Sequence, residues 1–567
     1  MNNDSSSPRV DEGSDFGVFS KKCDEVRSIS GKLAKIRIVS DYFLSLKSDE
    51  DLRIASTFLS GKIFAPGSDE QEINVGYSMI WKSVASFYRL KDGDLSNYYL
   101  KHGDLGSAIE DYMNSVKTSK RTRGSLLFES DLTLQNVYSA FKELAKASGK
   151  GSAERRQRII ERLLSAIKDP LEAKYLVRIM GGEMRIGLVE GLVEESIARA
   201  FSKTLAQVRS ANLVTGDIGQ VAVLSRQDEL DKAKLELFHP TNFMLADSAE
   251  NSQALYERFS EYPVISNYKY DGIRAQIHLK NGKAKIFSRN LEDITRYFPE
   301  IDEAIKKLSV SSLILDGEIV PFKDGKPLSF QALQQRLRKL ERSESDAPIR
   351  YFAFDILYMN RSVIEEVLSV RLKALHSLEF DGVLAFAEQR EVSNQKEIQS
   401  MFEESKSLGY EGLVVKSPSS AYTPGRRGKN WVKLKKELDT LDVVIVGAEY
   451  GHGKRAGVIS DYTFAVRDND ELKVVGKAYS GLTDSEILDM TALLKRITIQ
   501  DYGYQRSVKP QVVLEVAFDA VQKSKRHDGG YALRFPRIKR IRTDKSVSQI
   551  DTLERVRKIY EGQTVKY

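Results

Sequence analysis

The spacing of apolar residues changes near His239-Pro240, and this change divides the chain into regions of different fold class. Residues 25–235 carry apolar side chains at helical spacing, most clearly in the segment that starts at Ser152, a predicted N-cap. From Pro263 onward, short β-rich runs alternate with helices, which is typical of a mixed domain with an antiparallel sheet. After about residue 437 the runs are short and closely spaced, which predicts a small β-barrel.

The chain is therefore expected to be multidomain, because 567 residues can build about three domains, each with its own core. We predict an all-α domain at residues 23–238, an α+β domain at 239–437 and a β-barrel at 438–567. Residues 1–22 begin with a polar run and are predicted to be a disordered tail.

Composition excludes several classes of site. Cys23 is the only cysteine, so disulfide frameworks and cysteine-based zinc sites are excluded, and a reducing cytoplasm is favoured. Hydrophobic residues make up 41% and charged residues 29%, as in an ordinary soluble protein. No apolar run approaches the ~20 residues of a membrane span. A net charge of +7 permits nucleic-acid binding without establishing it, so the placement of charge has to decide.

Glycine-rich turns recur in the helical region. Two have the form Gly-Asp-(Leu/Ile)-Gly, at 103–106 and 216–219, and a third spans 181–187. Turns that open helices leave backbone N–H groups free to meet phosphates, so a duplicated unit that grips a sugar–phosphate backbone is one interpretation. For any single turn, an ordinary connection between helices is the simpler one.

Lys269 lies in the run Asn267-Tyr-Lys-Tyr-Asp-Gly-Ile-Arg274, directly after the apolar pair Val264-Ile265. This order predicts a strand that delivers an amine to a tight turn. Asp271 and Arg274 place both signs of charge beside the amine, which is the local chemistry that a lysine nucleophile needs. Taken alone, a hairpin turn with a solvated lysine is the more ordinary interpretation, because Asp-Gly is a common turn.

Five further segments each place a charged or aromatic residue at or near the end of an apolar strand. They span residues 287–290, 315–320, 351–358, 411–416 and 431–437. Each has an ordinary explanation by itself, such as a turn carboxylate or a core aromatic ring. Together they supply what nucleotidyl transfer requires, namely cations for phosphate, carboxylates for a metal and a flat ring for a base.

The chemistry sets a condition on the nucleophile. A lysine that attacks the α-phosphate of a nucleotide must be neutral, whereas its ordinary pKa is about 10.4. Making the free amine dominant at pH 7 requires ~4–5 kcal/mol of differential interaction. We expect Lys416, Lys433 and Arg289, together with a bound metal, to lower the pKa of Lys269.

Three other residues complete the predicted site. Glu318 and Glu411 offer the oxygen ligands that Mg²⁺ prefers. Phe354 offers a flat face for a purine.

In order and spacing, these six motifs resemble those of the covalent nucleotidyltransferases, which are DNA ligases, RNA ligases and mRNA capping enzymes. The chain is most similar to the three-domain ATP-dependent DNA ligases of archaeal and eukaryotic type. The similarity extends beyond the central motifs to residues 101–106, 184–187, 216–219 and 533–542.

The resemblance implies a role for each matching residue. Lys269 would form a covalent lysyl–AMP, and Phe354 would stack on adenine. Glu318 would hold the ribose or a metal, and Glu411 would be a second metal ligand. The residues implied to contact the nucleotide or the nick phosphates are Arg274, Arg289, Lys416, Arg427, Lys433 and Lys435. Those implied in the basic motif of a C-terminal OB-fold domain are Arg534, Arg537 and Lys539.

The resemblance implies ATP and Mg²⁺ as cofactors, with Mn²⁺ as an alternative metal. One position departs from the family's pattern. Two residues before the nucleophile these ligases commonly carry glutamate, which contributes to adenine recognition, and this chain carries Asn267. An asparagine side chain offers one acceptor and two donors, so ATP remains expected while ADP or GTP use stays open.

The implied activity is the sealing of 5′-phosphate/3′-hydroxyl nicks in duplex DNA, through lysyl–AMP and a DNA-adenylate, in replication, repair and recombination. The all-α domain would then bind DNA, and residues 438–567 would form the OB-fold. Nicked duplex DNA is the implied partner, a sliding clamp is typical of the family, and a monomer is expected. We expect a cytoplasmic, nucleoid-associated protein with no membrane partner.

Three alternatives compete with this interpretation. RNA ligases and capping enzymes share the lysine core but generally lack a large N-terminal helical domain. NAD⁺-dependent ligases carry a four-cysteine zinc finger, which a single cysteine cannot build. A non-enzymatic DNA-binding protein with a decayed site is disfavoured by the intact Lys269, Arg274, Glu318, Lys416 and Lys433.

Overall fold

Two compact units make up the computed structural model of this chain. The first contains residues 1–234, 444–464 and 477–512, and the second contains 235–443, 465–476 and 513–567. Segments after residue 443 are thus divided between the two units. The structure describes residues 12–68, 73, 75–90, 94–116, 132–149, 151–328, 330–337, 347–425, 427–435, 439–451, 455 and 457–563.

The first unit begins with helices, as the sequence predicts. They are α1 (Phe16–Ser28), α2 (Lys32–Ser45), α3 (Asp49–Leu59), α4 (Tyr77–Tyr88), α5 (Asp94–His102), α6 (Leu105–Val116), α7 (Leu134–Lys146), α8 (Ser152–Ser165), α9 (Pro170–Met180), α10 (Glu190–Ala200), α11 (Leu205–Thr215) and α12 (Ile218–Gln227). Their apolar faces meet in one continuous core. Within the described ranges, no helix of the chain is both long and apolar enough to cross a bilayer.

The start of the helical domain lies earlier than the predicted boundary. Residues 16–22, which we assigned to a disordered tail, belong to α1, where Phe16 and Phe19 are completely buried. The Asp15 side chain caps this helix by accepting a hydrogen bond from the Val18 N–H. Burial of these two aromatic rings is enough to order residues 16–22, although the sequence upstream of them is polar.

Helix α8 matches the predicted segment, with Ile160, Leu163 and Leu164 buried. The predicted cap is one residue late, because Gly151 occupies the N-cap and Ser152 is the first helical residue.

The two Gly-Asp-x-Gly turns have the same construction. Asp104 accepts from the N–H groups of Gly106 and Ser107 and forms a buried pair with Arg178. Asp217 caps α12 through the Gln220 N–H and pairs with Arg53. Each aspartate therefore occupies helix-start N–H groups and ties the turn to a neighbouring helix. This arrangement favours the interpretation as helix connections.

The second unit carries the predicted α+β domain. Its strands up to residue 435 are β1 (Leu245–Ala249), β2 (Val264–Lys269), β3 (Ile273–Lys280), β4 (Lys283–Ser288), β5 (Ser312–Lys323), β6 (Lys326–Pro327), β7 (Ile349–Met359), β8 (Arg361–Ser362), β9 (Leu384–Phe386), β10 (Gln389–Val392), β11 (Gly412–Lys416) and β12 (Arg427–Lys435). Its helices are α13 (Ser252–Tyr256), α14 (Pro299–Ile305), α15 (Phe330–Leu337), α16 (Leu368–His376) and α17 (Gln395–Ser407).

These strands form two sheets. One has the order β1-β12-β11-β2-β10, and the other has the order β4-β3-β5-β7-β8, with β6 on β5 and β9 on β7. All pairs are antiparallel except β1–β12 and β7–β9. Two apolar cores form on these sheets, one around β3, β5 and β7 and the other around β2, β11, β12 and α17.

Beyond residue 438 the chain is rich in strands, with β13 (Asp439–Tyr450), β14 (Ile459–Asp468), β15 (Glu471–Ala478), β16 (Thr498–Asp501), β17 (Gln505–Val508), β18 (Val513–Phe518), β19 (Ala520–Lys523), β20 (Tyr531–Arg534) and β21 (Arg537–Ile541). Helices α18 (Asp484–Arg496) and α19 (Leu553–Gly562) accompany them. In the first unit β17 pairs with β13 and β16, and in the second β18 pairs with β21 and β19 with β20. The strand content agrees with the predicted OB-fold, although no closed barrel is assigned among the described residues.

Gly272 is required by a close approach between strands. A Cβ atom at this position would lie 2.1 Å from the Ile319 carbonyl oxygen, and a backbone oxygen in a sheet cannot move aside. We expect Gly272→Ala to lower the free energy of unfolding of the second unit by roughly 1–3 kcal/mol. The control is Gly428→Ala in the same unit, where the nearest atom to the new Cβ is 3.9 Å away.

Urea unfolding followed by tryptophan fluorescence measures this effect. The chain has two tryptophans, Trp81 in the first unit and Trp431 in the second, so a Trp81→Phe background isolates the second unit. Equal midpoints for Gly272→Ala and Gly428→Ala would show that the strand contact tolerates a methyl group.

Candidate active site

The predicted site residues of β2, β11 and β12 lie on one face of their sheet. Alternate residues of a strand share a face, and residues directly opposite each other across a strand pair do so as well. Lys269 is opposite Gly412, Asn267 is opposite Val414, and Ile265 is opposite Lys416. The next strand places Lys435, Lys433 and Trp431 opposite Gly412, Val414 and Lys416 in turn.

The other face of this sheet is apolar. Val264, Tyr268, Leu413 and Val415 point into the core that includes α17. A one-residue slip of β2 would exchange the two faces, so burial of this core fixes the register that presents Lys269.

Lys269 is held in an ion pair at the end of β2. Its Nζ lies 2.5 Å from Oε2 of Glu411, and the Lys435 Nζ lies 3.3 Å from the same oxygen. The Glu411 N–H donates to the Lys269 carbonyl oxygen at 3.0 Å, so both residues are also fixed through the backbone. Lys435 continues the chain of charges to Asp519, 3.7 Å away.

This pairing reverses the expected direction of the Lys269 pKa. Burial by itself would lower the pKa of Lys269, but the carboxylates of Glu411, Glu318 and Asp271 outweigh burial and raise it above its ordinary value. The expectation of a lowered pKa is therefore wrong for this arrangement, because the nearest charge is a carboxylate rather than a cation. Although burial acts against the charged form of Glu411, Lys269 and Lys435 lower its pKa to about 2.

Arg274 is committed to a buried carboxylate. Its Nε and Nη2 donate to the two oxygens of Asp316 at 3.0 and 2.7 Å, and Nη1 donates to the Met244 carbonyl at 2.7 Å. The Tyr422 hydroxyl donates to the same Asp316, which is completely buried. Against the effect of burial, Asp316 raises the pKa of Arg274. The predicted contact of Arg274 with a nucleotide stays a prediction, and three of its five N–H donors are used within the protein.

Glu318 lies on β5, directly opposite Arg274 of β3. Burial raises the pKa of Glu318 to about 8, although Lys269 and Arg274 act in the opposite direction. A carboxyl group in this condition holds its proton at neutral pH and loses it when a cation binds.

A metal site would need ligands from the substrate. No group of three or more histidine, cysteine, aspartate or glutamate side chains is placed to hold a metal among the residues that the structure describes. Mg²⁺ is commonly bound by one or two carboxylates together with substrate phosphates and water, so Glu318 and Glu411 fit such a site.

Lys416 and Phe354 are in direct contact. The Lys416 Nζ lies 4.6 Å from the Phe354 ring centroid and 4.3 Å from the Trp431 ring, and it donates to the Phe354 carbonyl oxygen at 3.2 Å. The Arg274 guanidinium lies 5.3 Å from the Phe354 ring. Burial lowers the pKa of Lys416 to about 7, so this lysine changes charge near neutral pH.

Arg534 of the predicted C-terminal motif contacts the segment that carries Lys269. Arg534 donates from Nη1 and Nη2 to the two oxygens of Asp271, at 2.8 and 3.0 Å, two residues from Lys269. Arg537 is 55% exposed and lies 3.9 Å from Asp519, and Lys539 is exposed on β21. The structure thus brings Arg534 to the site, while the other two face solvent.

The remaining predicted residues have less defined surroundings. Asn267 is buried, and its Nδ2 donates to the Glu388 carbonyl oxygen at 2.9 Å. Arg289 is exposed in the turn after β4, and Lys433 is half-buried on β12. Arg427 lies in β12, but its side chain is outside the described residues.

Sequence reasoning missed two residues of this network, Asp316 and Asp519. Asp316 lies two residues before Glu318 in the segment 315–320. Its position next to Gly317 was the feature of the sequence that could have identified it. No feature of the neighbouring sequence could have identified Asp519, because it comes close to Lys435 only in the folded protein.

Comparisons with known proteins agree with this geometry. Three family models match: "DNA ligase N terminus" at residues 15–198, "ATP dependent DNA ligase domain" at 243–435 and "ATP dependent DNA ligase C terminal region" at 455–545. A "Probable DNA ligase" of Koribacter versatilis is 42% identical over 96% of each chain. A "DNA ligase" of Archaeoglobus fulgidus is 34% identical over 97% of this chain and 99% of its own. The solved structure Pmar-Lig_PreS3 covers 92% of this chain and 99% of its own at 16% identity, with a TM-score of 0.54, which supports the fold alone.

Replacement of Glu411 should change the titration of Lys269. We expect Glu411→Gln to lower the pKa of Lys269, because the carboxylate that raises it is removed while burial still lowers it. The measurement is the pH dependence of Lys269 acetylation by an amine-reactive reagent, followed by peptide mass spectrometry. Glu403→Gln on α17 is the control, since Glu403 pairs with Lys406. An unchanged titration in Glu411→Gln would mean that another group holds the proton on Lys269.

Replacement of Lys416 should change how stability depends on pH. Between pH 7 and 10.5 the unfolded chain holds a proton on Lys416 that the folded chain has released, so this lysine makes stability rise with pH there. We expect Lys416→Met to be more stable than the wild type at pH 7. The advantage should shrink by up to about 1.4 kcal/mol per pH unit as the pH rises. Chemical denaturation at several pH values measures it, with exposed Lys396→Met as the control. A difference that does not vary with pH would contradict the assignment.

Proposed function

Because the chain belongs to the ATP-dependent DNA ligase family of nucleotidyltransferase enzymes, we propose that it seals nicks in duplex DNA through a covalent lysyl–AMP. The observation that carries the proposal is the position of Lys269. Its amine ends a strand on the same sheet face as Lys416, Lys433 and Lys435, and a carboxylate lies in contact with it.

In the first step, the neutral Lys269 amine attacks the α-phosphorus of ATP. A P–N bond forms, the bond to the β-phosphate oxygen breaks, pyrophosphate leaves and the amine proton passes to solvent. The lysines on this sheet face stabilise the negative charge that develops on the phosphate oxygens.

Two further steps complete the proposed cycle. A 5′-phosphate oxygen at the nick attacks the phosphorus of lysyl–AMP: a P–O bond forms, the P–N bond breaks, and the departing Lys269 amine takes up a proton from solvent, which leaves the DNA-adenylate. The 3′-hydroxyl oxygen then attacks the 5′-phosphate phosphorus: the phosphodiester bond forms, the bond to AMP breaks, AMP leaves, and the hydroxyl proton passes to solvent.

Glu411 and Glu318 have separate roles in this scheme. Bound Mg²⁺ would neutralise phosphate charge, and Glu318 and Glu411 would hold it. Before the attack, Lys269 must lose its ammonium proton to solvent and leave its ion pair with Glu411, because a protonated amine has no free electron pair. The Arg274–Asp316 pair holds β3 against β5 and packs beside Phe354, so its role is to position the walls of the site.

We propose DNA as the partner because the chain has the helical domain of this family and because a nick presents backbone phosphates to the protein. Contacts to backbone phosphates depend on salt and little on base sequence, so we propose binding that weakens steeply with ionic strength. We also propose that the protein acts as a monomer in replication, repair and recombination, and that a sliding clamp recruits it.

The test is transfer of label from α-³²P-ATP to the protein. Wild type should become labelled in the presence of Mg²⁺, retain the label on a denaturing gel and lose it when nicked duplex DNA is added. Lys269→Ala and Lys269→Arg should show no label, whereas Lys283→Arg, a change at the exposed first residue of β4, should be labelled normally.

Parallel reactions with labelled ADP, GTP and NAD⁺ determine the nucleotide. Label that persists in Lys269→Arg would overturn the assigned nucleophile. Label that forms normally but is not discharged by nicked DNA would overturn the assigned substrate.

A further inference from the structure

Two buried amide atoms beside the proposed nucleotide site lack hydrogen-bond partners. Asn267 Oδ1 and Gln389 Nε2 each lie inside the protein with no partner among the described residues. Gln389 of β10 is directly opposite Asn267 of β2, so the two amides share one face of the sheet. A buried unsatisfied polar group costs about 1–3 kcal/mol, so such a pair calls for an explanation.

The face that carries these amides is the face that carries the nucleophile. Asn267 precedes Lys269 by two residues, which places it about 7 Å along the same side of β2. A nucleotide whose α-phosphate meets the Lys269 amine can therefore direct its base toward Asn267 and Gln389.

The orientation of the Asn267 amide is fixed by its neighbour. Nδ2 donates to the Glu388 carbonyl oxygen at 2.9 Å, and that oxygen can only accept. A flipped amide would set two oxygens against each other, so Oδ1 is the atom that points away from Glu388. Position 267 therefore offers an acceptor, and position 389 offers a donor.

Adenine matches this order of acceptor and donor. On the Watson–Crick edge of adenine, the N6 amino group is a donor and N1 is an acceptor, whereas guanine presents the O6 carbonyl oxygen and an N1–H donor. We propose that Gln389 is a specificity-determining residue that acts with Asn267 to select adenine. Asn267 Oδ1 accepts from the amino group and Gln389 Nε2 donates to the ring nitrogen. The inference rests on the proposed use of a nucleotide at Lys269.

Guanine is disfavoured by the same geometry. Its O6 would face Asn267 Oδ1, two acceptors without a proton between them, and Gln389 Nε2 would face an N–H donor. Sites built to hydrogen-bond one group discriminate strongly against an analogue that leaves buried polar groups unpaired. The pair thus replaces a carboxylate acceptor by two neutral amides, and the Glu388 carbonyl orients the one that supplies the acceptor, Asn267.

Equilibrium binding without chemistry is the test. The α,β-methylene analogues of ATP and GTP cannot release pyrophosphate, and calorimetric titration of the full-length protein gives their affinities. We expect wild type to bind the adenine analogue at least about tenfold more tightly than the guanine analogue. Gln389→Leu should weaken the adenine analogue about tenfold and change the guanine analogue less than about twofold.

Two further variants keep the test decisive. Gln389→Glu replaces the donor with acceptors and should lower the adenine-to-guanine ratio further than Gln389→Leu does. Gln399→Leu makes the same side-chain change on α17, outside the sheet face, and should leave both affinities unchanged.

Three outcomes would overturn the assignment of Gln389. One is that Gln389→Leu lowers the affinity for both analogues equally, and another is that it lowers the affinity for neither. The third is a fall in melting temperature with an unchanged ratio, which would mean that the two amides bond each other. Failure of the proposed function is distinguishable, because wild type would then bind neither analogue and take no label from ATP.

Discussion

The antiparallel pairing of β2 with β11 is the constraint on which the site depends. It sets Lys269 opposite Gly412, so the Glu411 carboxylate comes within 2.5 Å of the amine. The same pairing, continued into β12, places Lys433 and Lys435 on the side of the sheet that carries Lys269. Because burial of the opposite face fixes the register, the positions of these charged groups follow from apolar packing.

The ionisable groups of the site are placed so that a bound phosphate or cation can change their protonation. Glu411 raises the pKa of Lys269 and so favours the protonated amine. Burial gives Lys416 and Glu318 pKa values of about 7 and about 8. Groups poised near neutral pH respond to the arrival of phosphate or a cation more readily than fully charged ones. Asp271, two residues from Lys269, is paired with Arg534, so the C-terminal strands also contribute to the electrostatics around Lys269.

Much of this arrangement follows from local sequence. The strand before Lys269, the helix at 152–165 and the order of the six motifs were all predictable from residue spacing. The start of α1 was not, because its order comes from Phe16 and Phe19 packing against distant helices. The direction of the Lys269 pKa was also missed, since a pKa depends on which charge lies nearest in space.

Spacing along the chain was sufficient to predict the division into helical and strand-rich regions and the family, and it singled out Lys269 as the predicted nucleophile. The tertiary structure then set which charges meet. It paired Lys269 with Glu411, Arg274 with Asp316 and Arg534 with Asp271, in each case between residues on different elements. It also placed Gln389 opposite Asn267. The physical reason is that Coulomb and hydrogen-bond energies depend on distances of a few ångströms, which are set by how strands pair and not by how far apart residues stand in the chain.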